Sequence, residues 1–290
     1  MHFLSYLLAR FFIGSLRFMP FWGLYRLSDA MAFLFYHLGY RKQVVLDNLR
    51  RCFPEKSEAA LRAIAKQSYR NLSDVTLETL KSMVTPIETT LRRVKFHNVQ
   101  LINDIFATGK SVLLVGGHYN NWEWMALGMG ENLHGTGVII YKTLSNPYMD
   151  RWLYASRARG QHIALKSMPE TYPAIKEMKG SPCMFILGAD QSPSNRRTAQ
   201  WVSFFGQPTA CLPGPDLLGR QFDYPIVYFE IQRVARGYYE VSYETICAKP
   251  ANTESPQITQ IYMDRLAETI QKDPGNWLWS HKRWKMKPEA

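Results

Sequence analysis

Apolar positions keep helical spacing early in the chain and gather into short unbroken runs later. Leu61, Ile64, Ser68, Leu72, Val75 and Leu80 predict a long helix over 57–84, with Ser57 as its N-cap, Glu58 in its first turn and Pro86 beyond its end. A second helix is expected over 98–108, ending at Gly109-Lys110. The period then changes. Ser111–Val115, Gly137–Tyr141 and Cys183–Leu187 are apolar runs of strand length, with helices expected at 122–133, 148–159 and 170–179. Ile226–Ile231 and Tyr238–Ile246 flank Arg236-Gly237 as an antiparallel hairpin. This order predicts an α/β fold with a central mixed β-sheet flanked by helices.

Residues 3–40 stand apart. Leu, Phe, Tyr, Trp and Met dominate, but Arg10, Arg17 and Arg26 interrupt every window long enough to span a bilayer. No basic start and small-residue cleavage site marks a secretory signal. The pattern predicts an apolar helical hairpin, broken near Pro20 and Gly23, that lies in a membrane interface with its arginines toward the headgroups. The expected organisation is a membrane-associating segment over 1–40 and one α/β domain over 41–290.

Charge sharpens that expectation. The 290 residues hold 35 Lys and Arg against 24 Asp and Glu, so the net charge of +11 calls for an anionic partner. Nucleic acid would satisfy it, yet no nucleic-acid motif is present and the apolar N-terminus has no use there. An anionic membrane surface uses both features. Cys52, Cys183, Cys211 and Cys247 lie far apart, without metal-ligand spacing, so neither a zinc site nor a disulfide framework is expected. A reducing compartment fits, and no metal or cofactor is implied.

Chemistry concentrates where the three apolar strands end. Gly116-Gly-His-Tyr-Asn-Asn-Trp-Glu123 follows the first; Tyr141-Lys142, Asn146, Asp150, Arg157 and Arg159 follow the second; Asp190-Gln191 follow the third. Ligands of open α/β sheets bind beyond such strand ends, so these loops are expected to share one cleft. The glycines let the chain turn sharply and bring His118 to the sheet edge. Glu123, in the first turn of the next helix, is placed to fold back and orient the imidazole as a general base for an alcohol attacking an acyl carbonyl. No serine or cysteine adjoins the pair, and no G-x-S-x-G elbow exists, which favours direct transfer over a covalent intermediate or a lipid esterase.

Gly117-His-Tyr-Asn-Asn-Trp-Glu123 resembles the catalytic motif of the bacterial lipid A biosynthesis (lauroyl/myristoyl) acyltransferases, in the lysophospholipid acyltransferase superfamily. Five further stretches in the same order are similar to that family: Asn48–Glu55, Tyr141–Arg157, Asp190-Gln191, Phe204–Gly206 and Pro274–Lys285. The resemblance implies His118 as base, Glu123 as its orienting partner, and Arg157 and Asp190 near the reacting centre. Arg157 would clamp a phosphate or donate to the oxyanion, and Asp190 would hold that arginine or bind an acceptor group. Asn121, Trp122, Tyr141, Lys142, Arg159, Gln191 and Arg283 are candidate substrate contacts. The family also implies acyl carrier protein as donor, with acyl-CoA as the alternative, and a membrane-held phosphorylated lipid at the cytoplasmic face of the inner membrane as acceptor. Lys142 stands where the family favours arginine and Trp284 where it favours phenylalanine, which leaves a lysophospholipid or aminolipid acceptor open.

Overall fold

The computed structural model describes residues 2–287. Helices α1 (His2–Ser15) and α2 (Phe21–His37) are followed by α3 (Lys42–Cys52) and the long α4 (Glu58–Ser82). The Ser57 hydroxyl accepts from the Ala60 amide at 3.3 Å and caps α4 as its position suggests. A short α5 (Ile87–Leu91) and β1 (Val94–Phe96) lead into α6 (Gln100–Ala107). Strands and helices then alternate: β2 (Val112–Gly116), α7 (Trp122–Gly128), β3 (Thr136–Tyr141), α8 (Pro147–Arg157), β4 (Ile163–Ser167), α9 (Thr171–Glu177) and β5 (Cys183–Gly188). A hairpin of β6 (Gln200–Phe204) and β7 (Gln207–Cys211) precedes α10 (Gly214–Phe222), and β8 (Ile226–Ala235), β9 (Tyr238–Cys247) and α11 (Gln257–Lys272) complete the chain.

One mixed sheet organises these elements in the order β1-β9-β8-β2-β5-β3-β4. Only β8 and β9 run antiparallel within it. Strand β2 shows why apolar runs mark this sheet's centre, because all five of its residues are buried. Leu113 and Val115 pack on one face with Leu49, Tyr69 and Leu266, whereas Val112 and Leu114 pack on the other with Ile102 and Trp124. The α/β expectation holds.

The helix expected over 122–133 stops at Gly128. A side chain at Gly128 would meet the Phe96 ring at 2.7 Å, and one at Gly130 would collide with the Gln161 carbonyl. Two neighbouring segments press against the chain there, so it turns away to begin β3. Strands β4, β6 and β7, with α3, α10 and α11, were not expected from the pattern.

Two N-terminal helices are present with the break at Pro20, but they do not pack together as a hairpin: α2 lies along α4, and α1 meets α8 and α4. Ile13, Leu16 and Leu24 are buried, the latter two packing with Leu77 of α4. The outer side is different: Leu4, Leu8, Phe11, Phe12, Phe18 and Trp22 are each more than half exposed. Among the described residues no helix is long and apolar enough to cross a membrane.

Candidate active site

Strands β2 and β5 are parallel neighbours, paired so that Gly116 lies opposite Gly188. Two residues beyond each glycine stand His118 and Asp190. The imidazole Nδ1 and the Asp190 Oδ1 are 2.6 Å apart. The other oxygen, Oδ2, accepts from the His118 backbone amide at 2.8 Å and from the Trp277 indole N–H at 2.9 Å. The aspartate is thus fully hydrogen-bonded, and its side chain is 2% exposed against 25% for the imidazole. Ring nitrogen Nε2 has no protein partner among the described residues. A carboxylate on Nδ1 holds the proton there and leaves Nε2 as a proton acceptor.

This corrects the expected pairing. Glu123 does not reach the imidazole: its carboxylate accepts from Arg157, Nε to Oε2 at 3.0 Å and Nη2 to Oε1 at 2.5 Å. Glu123 was expected on His118, and the resemblance implied Asp190 on Arg157 or on an acceptor group; the fold puts Asp190 on His118 and Glu123 on Arg157. The cause is strand order. With β5 immediately beside β2, the Asp190 carboxylate arrives under the imidazole, while α7 directs Glu123 outward to the end of α8. Asp150, which accepts from the Leu144 amide at 2.7 Å, is not the arginine's partner either.

The electrostatics follow this geometry. Burial alone would lower the His118 pKa, but Asp190 by charge and hydrogen bond, and then Glu123 by charge, outweigh it and raise it above 6.5. Burial works on Asp190 in the opposite sense, and the imidazole, two N–H donors and its charge bring that carboxyl down to about 2. The aspartate stays ionised wherever the histidine titrates.

The remaining candidates divide. Trp122 sets its ring edge-on to the imidazole, with centroids 5.0 Å apart. Tyr141 packs against Tyr154, and Lys142 is exposed on the loop before α8. Gln191 is half-buried beside Asp190. Arg159 donates to the carbonyls of Ser82, Thr85 and Ser156 and joins α8 to the end of α4. Two expected substrate contacts are instead internal supports. Asn121 is buried, caps α7 by accepting from the Trp124 amide at 2.9 Å, and donates to Glu78 at 2.7 Å. Arg283 is 1% exposed and donates to the Ala210 carbonyl, so it braces the β6–β7 hairpin.

Two contributors went unrecognised in the sequence. Trp277 lies in a stretch noted for resemblance, yet nothing local links its indole to Asp190. The segment that carries it pairs with the loop of His118: the Leu278 amide donates to the His118 carbonyl at 3.1 Å. Glu78, on the buried side of α4, accepts from Tyr239 and Asn121 at 2.7 Å and from Tyr25 at 2.9 Å. It anchors the start of α7, and with it the helix that carries Glu123.

Comparison with known proteins gives the chain a family. The family described as bacterial lipid A biosynthesis acyltransferase matches residues 2–286. The chain is 27% identical over 280 residues to the lipid A biosynthesis lauroyltransferase of Escherichia coli K12, covering 94% of this chain and 88% of that protein. It is 25% identical over 302 aligned positions to the lipid A biosynthesis acyltransferase of Haemophilus influenzae, covering 99% and 94% respectively.

Proposed function

Because the chain belongs to the bacterial lipid A biosynthesis acyltransferases, we propose that it transfers a fatty acyl chain from acyl carrier protein to a hydroxyl of a lipid A precursor, with His118 as general base. The observation that carries the mechanism is the Asp190–His118 contact, which leaves Nε2 unpartnered beyond the strand ends. The acceptor hydroxyl gives its proton to Nε2 as its oxygen attacks the thioester carbonyl. The new C–O bond forms, the C–S bond breaks, and the imidazolium returns the proton to the departing thiolate. Asp190 stabilises the imidazolium without leaving its own ionised state.

Arg157 supplies positive charge to the developing oxyanion or to a substrate phosphate, and Glu123 fixes its fork. Trp122 packs beside the reacting nitrogen, and Tyr141, Lys142 and Gln191 line the approach from neighbouring strand ends. No hydroxyl or thiol bonds to Nε2 among the described residues, which favours direct transfer. The exposed apolar side of α1 and α2 serves as the membrane-associating part, residues 1–40, and 41–290 form the catalytic domain. The whole chain carries a net charge of +11, and that part docks it at the cytoplasmic face of the inner membrane.

Lipid mass spectrometry of a deletion strain is the decisive test. Loss of the gene should leave a lipid A species short of one acyl chain. Wild-type protein should restore it, and His118→Ala should not. An unchanged lipid A profile in the deletion strain rejects the acceptor, and full restoration by His118→Ala rejects the base.

A further inference from the structure

A second charged feature lies away from His118. Helix α1, the end of α4 and α8 enclose an open cavity of about 510 Å³ whose wall includes Arg10, Arg17 and Arg159, with Trp152, Met83 and Pro86. No aspartate or glutamate lines it. Glu88 is the acid whose field reaches Arg159. Three guanidinium groups around one space repel one another unless an anion lies among them.

The three arginines are held differently. Arg159 is fixed by the carbonyls of Ser82, Thr85 and Ser156. Arg10 stacks on Trp152, its guanidinium carbon 5.4 Å from the ring centroid, and donates to the Tyr6 hydroxyl at 2.9 Å. Arg17 lies seven residues on and is exposed, and among the described residues its guanidinium has no hydrogen-bond or ion-pair partner. Lys81, by contrast, is turned inward and donates to the Leu16 and Met19 carbonyls at 2.7 Å, which holds the α1–α2 turn against α4. The wall is therefore built, and two of its cations remain open to a ligand.

We infer that this cavity binds the phosphate group of an anionic lipid headgroup. Guanidinium forks match phosphate oxygens in geometry as well as charge. The position specifies a lipid: α1 forms one wall and exposes Leu4, Leu8, Phe11 and Phe12 elsewhere on its surface. A headgroup can then enter while its chains stay beside the apolar side chains of the same helix. The position also relates the site to the reaction. Arg157 reaches Glu123 from the last turn of α8, and Arg159, two residues later, reaches the cavity. The inference rests on the proposed reaction and names where that acceptor's phosphate is held.

The test uses the full chain and the double variant Arg10→Gln/Arg17→Gln, both sites being exposed and outside the buried core. Dihexanoyl phosphatidic acid, dihexanoyl phosphatidylcholine and inorganic phosphate are each added during thermal unfolding. Phosphatidic acid should raise the midpoint of the wild type and not of the variant, and the other two should not match it. In acyl transfer, the variant's KM for a phosphorylated acceptor should rise by about tenfold or more with the donor KM unaltered. Equal stabilisation of both proteins by phosphatidic acid, or an unaltered acceptor KM, overturns the site. Inorganic phosphate that matches phosphatidic acid overturns the lipid headgroup in favour of free phosphate. The two readings fail separately. A wild type stabilised through Arg10 and Arg17 that transfers no acyl chain loses the reaction and keeps the site. An active enzyme indifferent to the double substitution keeps the reaction and loses the site.

Discussion

His118 and Asp190 are joined at 2.6 Å because each follows by two residues a glycine of the register pair Gly116–Gly188 on adjacent parallel strands. Both residues lie just beyond the strand ends, and the register of the sheet sets their pairing. It positions the base with the rigidity of two buried strands, whereas the Glu123–Arg157 pair depends on how two helices are set against them.

Asp190→Asn tests the relationship most directly. An amide NH₂ facing Nδ1 makes that nitrogen the acceptor and puts the proton on Nε2, the wrong tautomer for a base. The acyl-transfer rate should fall by roughly 10²–10⁴ while the circular dichroism spectrum is retained. A variant within about twofold of wild type would show that the aspartate does not set the imidazole's state.

The pH profile should carry the same signature. A general base works only when neutral, and Asp190 and Glu123 hold the His118 imidazole above 6.5. Wild-type kcat/KM should therefore climb through a pKa above that value. In the residual activity of Asp190→Asn the attracting charge is gone, so the limb should move to lower pH. A limb that stays in place would assign the titration to another group.

Glu123 and Arg157 should behave as one unit. Each is about one-sixth exposed, and the bond is two-pronged. Removing either partner strands the other, so Glu123→Ala, Arg157→Ala and the double variant should be far from additive. A cycle measured on kcat/KM should give a coupling of about 1–3 kcal/mol. Additive losses would separate the two residues mechanistically.

Much of this site was legible, and the illegible part has a definite origin. Ser111–Val115 and Cys183–Leu187 could be read as strands because central parallel strands are apolar on both faces. His118 followed from its place after a predicted strand and two glycines, whereas Arg157 and Asp190 were set near it by the resemblance to a family. Which carboxylate serves which cation depends on strand order, and no local pattern encodes that β5 rather than β3 lies beside β2. Ile163–Ser167 escaped notice because its apolar run, Ile163–Leu165, is only three residues long before Lys166 at this edge of the sheet. Trp277 reaches Asp190 across 87 positions of chain.

Glu78 should make stability depend on pH. Burial, only partly offset by hydrogen bonds from Tyr239, Asn121 and Tyr25, raises its carboxyl from 4.5 to about 7. The folded protein then keeps a proton that the unfolded chain has released between those values, so stability falls as pH rises through that window. The loss should approach roughly 3 kcal/mol above pH 7. In Glu78→Gln the amide nitrogen can take the Oε1 position, where the Tyr25 hydroxyl turns to accept. The stability of this variant in urea should decline less than that of the wild type between about pH 4.5 and 7, and the decline that remains above 6.5 belongs to His118. A decline identical to wild type would place the titrating group elsewhere.

The two register glycines should fail in opposite ways when a methyl group is added. Gly116 is buried, and a Cβ there would lie 2.3 Å from the Phe229 ring, itself packed in the core. Gly116→Ala should therefore destabilise the fold by about 1–3 kcal/mol, read as a lowered midpoint in urea. Gly188 is exposed, its backbone is not left-handed, and the nearest atoms its Cβ would meet belong to the His118 ring, 3.2 Å from Cε1. The ring must yield by a few tenths of an ångström, and it can do so only by loosening its contact with Asp190. Gly188→Ala should keep wild-type stability and lose about tenfold or more in kcat, since small displacements of a reacting group are costly. Full activity in Gly188→Ala would mean that the imidazole does not need the position seen above this glycine.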